Sequence, residues 1–243
     1  MTKPLIFFFC LMGGLYAQSF PNWFYKPGNI PVNSYCGIVE TDYHPESSFK
    51  AAFTKACIKA ALYSGLKIKI NQSFISAVDK NYWTNFDKEV QYDTSLVSYF
   101  ENNYSVVDSF QTDKLTVVLI SNSKYSLDTN LTSLSANTSV TPIWINSIPK
   151  SDQYYYAFGQ AIQYYHAVSS WDEAENSAIV ELAKEKYTKI NSELAKEKSD
   201  FSDSIVDFQK EEVEAAIKKI EIIERWIDKK NKIFYVLARM LKN

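Results

Sequence analysis

Glycine is scarce: six residues in a chain of 243, too few and too scattered for a phosphate-cradling loop. Arginine is scarcer still, with only Arg225 and Arg239, and the formal net charge is −2. Nucleic-acid surfaces need clustered basic side chains to neutralise phosphates, so this class of partner is excluded. Histidine occurs twice, at His44 and His166, and cysteine three times. No Cys-x-x-Cys pair, His-Glu-x-x-His helix or nucleophile elbow is present, which leaves hydrolase and metalloenzyme readings without a motif. Past the N-terminus no apolar run approaches the roughly 20 residues of a spanning helix.

The N-terminus carries export chemistry. Lys3 supplies the positive region, Leu5 to Leu11 a short apolar core, and Leu15-Tyr16-Ala17 a cleavage site before Gln18. Cys10 follows Phe8-Phe9, which is no lipobox, so the expected product is soluble and without lipid. Cys36 and Cys57 remain after cleavage. Export permits a disulfide between them, and two buried thiols are the alternative. Aromatics reach 15% and supply material for cores and for exposed contact surface.

The most informative feature is a repeat. Gly37, Tyr43-His44 and Ser47-Ser48 recur as Gly159, Tyr165-His166 and Ser169-Ser170, each 122 residues on. Such self-similarity points to two tandem copies of one unit. Pro21-x-Trp23 opens the first copy and Pro142-x-Trp144 the second. Val106-Val107-Asp108-Ser109-Phe110 matches Ile222-Ile223-Glu224-Arg225-Trp226, and the run Leu115–Ile120 matches Ile233–Ala238. The polar residues between each pair of runs predict a β-hairpin. The expected organisation is a signal peptide at 1–17, a first domain at 18–122, a Ser/Thr/Asn-rich linker at 123–141 and a second domain at 142–243. The Asn-x-Ser/Thr triplets at Asn71, Asn103, Asn130 and Asn137 are chance products of this composition.

After each signature a helix is predicted. Phe49, Ala52, Phe53, Ala56, Cys57 and Ala60 fall on one helical stripe, as do Trp171, Ala174, Ala178, Ile179, Leu182 and Ala183. The serine pairs read as N-caps, Ser170 and Glu173 as a capping box, and Gly65 as the end of the first helix. Leu66, Ile68 and Ile70 alternate with lysines as a half-exposed strand. The repeat assigns 187–194 as the equivalent strand, although its Lys/Glu content favours helix. Further helices are expected near 85–100 and 204–218. The predicted class is α+β: two tandem copies of a mainly antiparallel sheet with helices packed on one face.

This order of elements resembles the Lpp-twenty family of bacterial envelope lipoproteins and the related FlgT amino-terminal-like domain of flagellar accessory proteins. The residues that carry the resemblance are the two Pro-x-Trp openings, Gly37 and Gly159, and the closing run Ile222-Ile223-Glu224-Arg225-Trp226 with Phe234-Tyr235-Val236-Leu237. The resemblance implies a compact α+β domain in the cell envelope, in some members within flagellar rings or discs. It implies no catalytic residues and no cofactor.

Candidate site residues weigh against that background. His44 and His166, with Asp42 or Glu46, have metal-ligand chemistry. The second copy has Tyr164 and Val168 at those acidic positions and offers no third ligand, so a loop histidine is the expectation. Tyr154-Tyr155-Tyr156 and Tyr164-Tyr165 suggest a stacking platform, but strand alternation sends every second ring inward. Trp23 and Trp144 read as anchors for the incoming chain. No catalytic, cofactor-binding or metal residue is assigned. The expected function is a non-enzymatic, exported envelope protein, soluble after cleavage in the periplasm or cell envelope. It would act through envelope proteins or self-association, in an outer-membrane or flagellar assembly. The alternative is a module binding cell-wall glycan or a small ligand with aromatics between the two copies.

Overall fold

Two long helices and the sheets beneath them set the frame of the computed structural model, which describes residues 19–77, 80–197 and 210–242. Residues 1–17, read above as a signal peptide, lie outside the described residues, and Cys10 with them. Helix α2 spans Pro45–Ser64 and helix α6 spans Ala167–Glu197. The predicted stripes face inward: Ala52, Ala56, Cys57 and Ala60 on α2 are buried, as are Trp171, Ala174, Ala178, Ile179, Leu182 and Ala183 on α6. Phe49, placed on the first stripe, is instead exposed.

Each helix lies on a three-stranded antiparallel sheet. In the first half β2 (Ser34–Glu40), β5 (Ser105–Gln111) and β6 (Leu115–Ser121) are ordered β2-β6-β5. In the second half β8 (Tyr154–Ile162), β10 (Glu221–Asp228) and β11 (Ile233–Leu241) are ordered β10-β11-β8. Both predicted hairpins form. Only their last strands are central, however: β5 and β10 lie at the sheet margins. Glycine brings helix and sheet together. A Cβ on Gly37 would sit 2.0 Å from the Ala52 carbonyl oxygen, and one on Gly159 would sit 2.1 Å from the Ala178 nitrogen. The helix backbones therefore rest directly on these two strand positions, which only glycine permits.

The same local geometry recurs 122 residues apart. The Ser48 hydroxyl accepts from the Asp42 N–H, and the Ser170 hydroxyl accepts from the Tyr164 N–H. These serines are thus not N-caps. They stand inside the first turn and latch the preceding loop; the residue capping α2 is His44, with Pro45 at the first helical position. Bulges interrupt β5 between Val106 and Asp108 and β10 between Ile222 and Glu224, at matched places.

A third sheet joins the halves and departs from the predicted scheme. Strand β3 (Gly65–Ala77) pairs antiparallel with β4 (Lys80–Tyr92), and β9 (Lys210–Lys218) of the second half pairs with β3, giving the order β4-β3-β9. The segment 187–194, assigned above as a strand, is helical. It continues α6 between flanking runs of strong helix formers, Ala-Lys-Glu-Lys at 183–186 and Ala-Lys-Glu at 195–197. Of the helix expected near 85–100, only α3 (Ser95–Asn103) forms, since residues up to Tyr92 belong to β4. The helix expected near 204–218 is replaced over 210–218 by β9, where pairing with β3 overrides helical propensity. Gly65 does end α2, but in an extended conformation that begins β3 at once.

The stretch 123–141 is tied down. It contains the one-turn helix α4 (Thr129–Thr132) and β7 (Leu134–Ala136), which pairs antiparallel with β1 (Ser19–Pro21). Asn137 then bonds both backbone groups of Ile227 through its side-chain amide, acting as a surrogate strand on the β10 margin. The largest core is continuous across the two halves. Phe24 of the one-turn helix α1 (Asn22–Tyr25) meets Trp171 of α6 edge-on at 5.4 Å. A second core lies between α2 and α3, and a third holds Trp144, Trp226 and Leu237 on the face of the second sheet away from α6.

Candidate functional site

The predicted site residues do not converge on one centre. His44 caps α2 without a side-chain bond, and its ring meets Tyr43 edge-on at 5.3 Å. His166 makes its contact through Nδ1 with Glu40 of the other half. Among the described residues no group of three or more His, Cys, Asp or Glu side chains is arranged to hold a metal. Cys36 and Cys57 are both free and buried, and burial pushes each thiol up to about 11. Trp23 is buried and donates to Asp108 at 2.8 Å. Trp144 is buried with its indole N–H unpartnered among the described residues. Tyr154 and Tyr156 share one face of β8, while Tyr155 packs against the main core. Tyr165, by contrast, is 96% exposed, and Tyr43 at the matching place is 91% exposed.

What the fold does bring together is a charged layer between the halves, built from residues of which only Arg225 was named above, and not as a site. Glu175 of α6 receives the Lys59 ammonium of α2 at 2.7 Å and the Tyr63 hydroxyl at 2.6 Å on one oxygen. Its other oxygen accepts from Arg225 Nε and Nη2 at 3.1 and 2.8 Å. The remaining Arg225 contact is from Nη1 to the Phe24 carbonyl, and the guanidinium lies 4.7 Å from the centre of the Phe24 ring. Lys55 and Lys59 also pair with Asp172. Helix α2 and strand β10 therefore close on one carboxylate of α6, and α1 joins them through Arg225.

Electrostatics follow from this closure. Burial works to push the Glu175 carboxyl up, but the Lys59 ammonium and the Arg225 guanidinium outweigh it and hold it down to about 2. Burial works to lower Lys59 and Arg225, and the opposing carboxylates hold both above their ordinary values. Desolvation, then the charge of Glu175, push the Tyr63 phenol well above its usual range. Each charge is thus fixed in its ionised form. One signal for this layer was present in the sequence. Glu175 lies four residues from Trp171 and from Ile179, and Lys59 beside Ala60, so both interrupt apolar stripes with opposite charges.

Above this layer a cleft of about 580 Å³ opens between the halves. Its lining includes Val32 and Tyr35 from the first half and Tyr154, Glu221, Arg225 and Arg239 from the second. Arg239 lies over the Tyr154 ring at 4.3 Å and pairs with Glu221 at 2.6 Å.

Residues 142–240 match the family model of the LPP20 lipoproteins. The second half of the chain is similar to that family. The matched stretch runs from α5 (Ile143–Asn146) and its preceding proline through β11, and so takes in Gly159, Glu175 and Arg225. That family is one of lipoproteins. No helix among the described residues is long and apolar enough to cross a membrane. No curated protein and no solved structure matches the chain.

Proposed function

We propose that this chain is a non-enzymatic, exported envelope protein that acts through protein–protein contacts. In this reading the LPP20 unit at 142–240 is preceded by a second unit of the same kind. The repeated glycine, serine latch and bulge support that assignment of the first half. The buried charges support a scaffold over a catalyst, since they neutralise one another and hold their protons fixed.

One observation carries the contact reading. Tyr43 and Tyr165, at the same loop position in each half, are almost fully exposed, and Glu40 beside the first loop meets His166 in the second. Large aromatics so placed are a poor use of surface unless something covers them, and tyrosine is a preferred interface anchor. The test is capture from envelope extracts by the wild type and by a Tyr43→Ser/Tyr165→Ser double variant, run beside sedimentation with purified cell wall. The reading expects proteins captured by the wild type and lost by the variant, with unchanged melting. Captured flagellar-ring components would set the assembly at the flagellum, and outer-membrane proteins in the general envelope. Sedimentation with cell wall alone, with no captured protein, would overturn it.

A further inference from the structure

We propose that the cleft between the halves binds a small organic anion: one carboxylate, sulfonate or phosphate group carried on an apolar or aromatic body. This goes beyond the contact reading and does not depend on it, because the cleft and the exposed tyrosine loops use different residues. The cleft's volume of about 580 Å³ lies within the span of small-molecule sites. Neither half forms it alone, since the loop around Val32 and Tyr35 supplies one wall and β8, β10 and β11 supply the other.

Charge selects the ligand's sign. The lining holds Lys219, Arg225 and Arg239 against a single carboxylate, Glu221. The layer beneath leaves that excess unchanged, because with Arg225 already counted it adds Lys55 and Lys59 against Asp172 and Glu175. Lys219 is exposed, held in a left-handed turn at φ 56°, and makes no ion pair among the described residues. A low-dielectric cleft with surplus positive charge concentrates anions.

Shape selects the ligand's body. Tyr154 and the Arg239 guanidinium stack into a flat platform at 4.3 Å, and Glu221 fixes the guanidinium through Nε and Nη2. A guanidinium has five N–H donors, more than this carboxylate accepts, so a second anion can share it. The same lining includes the apolar side chains of Ile30, Val32 and Leu241. Beside the stacked platform these side chains offer an apolar or aromatic body a surface to lie on.

The probe is anilinonaphthalene sulfonate, an aromatic anion, added to the intact mature protein, with N-phenylnaphthylamine as its uncharged counterpart. The expected result is a single saturable site for the sulfonate. Its affinity should fall roughly tenfold or more in Arg239→Gln, the worth of one charge-assisted contact. Val32→Trp, which fills the cleft from an exposed position and spares the core, should abolish the site. The uncharged probe should not respond to Arg239→Gln. Both variants should melt like the wild type, and the exposed-tyrosine double variant should bind the probe unchanged, which separates this proposal from the contact reading. Weak, non-saturating binding, or equal sulfonate affinity in wild type, Arg239→Gln and Val32→Trp, would overturn the proposal. So would tighter binding of the uncharged probe than of the sulfonate.

Discussion

Glu175→Gln keeps the shape of the side chain that joins the two halves and removes its charge. Lys59, with its side chain 7% exposed, retains only the more solvated Asp172 at 3.1 Å. Arg225, with its side chain 3% exposed, is left with the Phe24 carbonyl and an amide. Removing one partner of a buried ion pair costs about 3–5 kcal/mol, because the surviving charge stays buried without compensation. For a chain of this size that corresponds to a fall in melting temperature of roughly 6–20 °C. Urea unfolding and thermal melts at neutral pH measure it. The pH dependence supplies a second readout. A carboxyl held below its ordinary value contributes stability that is complete above that value and lost as pH falls through the depressed one. For Glu175 the window runs from the ordinary 4.5 down to about 2. Wild type should weaken through that window and Glu175→Gln should weaken less. Replacing the whole set by Glu175→Leu, Arg225→Met, Lys59→Met and Tyr63→Phe should be far milder than the single change, since no charge is then stranded. A loss under about 1 kcal/mol for Glu175→Gln, the worth of an exposed pair, with an acid limb like that of wild type, would refute the reasoning and mean that water reaches the layer.

Gly159→Ala puts a methyl carbon 2.1 Å from the Ala178 nitrogen and should cost about 3 kcal/mol or more by urea unfolding, because a helix backbone cannot step aside as a side chain can. Gly37→Ala should behave alike, and a near-neutral result for either would mean that helix and sheet stand further apart than described. Trp226→Ala should cost roughly 3–5 kcal/mol, since the ring is 6% exposed and its N–H donates to the Thr138 carbonyl at 2.9 Å; a loss within about 0.5 kcal/mol would make it a surface residue. Cys36 and Cys57 should resist a thiol reagent at neutral pH in the folded protein and react together on unfolding, as burial lifts both thiols to about 11; rapid labelling of native protein would contradict this.

What was legible in the sequence was whatever period and spacing encode. The apolar stripes identified both long helices and the polar turns both hairpins, while Gly37 and Gly159, read only as markers of the repeat, prove to be where helix and sheet backbones touch. The errors arose where a pairing partner lay far away in the chain. Residues 210–218 have the composition of a helix, and nothing local announces that β3, some 140 residues earlier, will take them as a strand. The segment 187–194 shows the opposite failure: there the helical propensity of the surrounding Lys/Glu-rich run was right, and forcing the two halves into register was wrong. The charged layer was missed for a related reason. Lys59 and Glu175 each look like a flaw in an apolar stripe when read alone, and each reads as a solvated charge. Only the crossing of α2 and α6 makes them one pair, and Arg225 reaches it because β10 runs along the Phe24 turn. Charges of opposite sign that interrupt two apolar stripes are therefore a better sign of contact between the halves than of exposure. In this chain the halves diverge where they meet: the shared third sheet and Glu175 serve the junction, while the glycine, serine latch and bulge serve each half alone. The residues that make the junction also line and support the cleft, so any ligand held there would report on how firmly the two halves are joined.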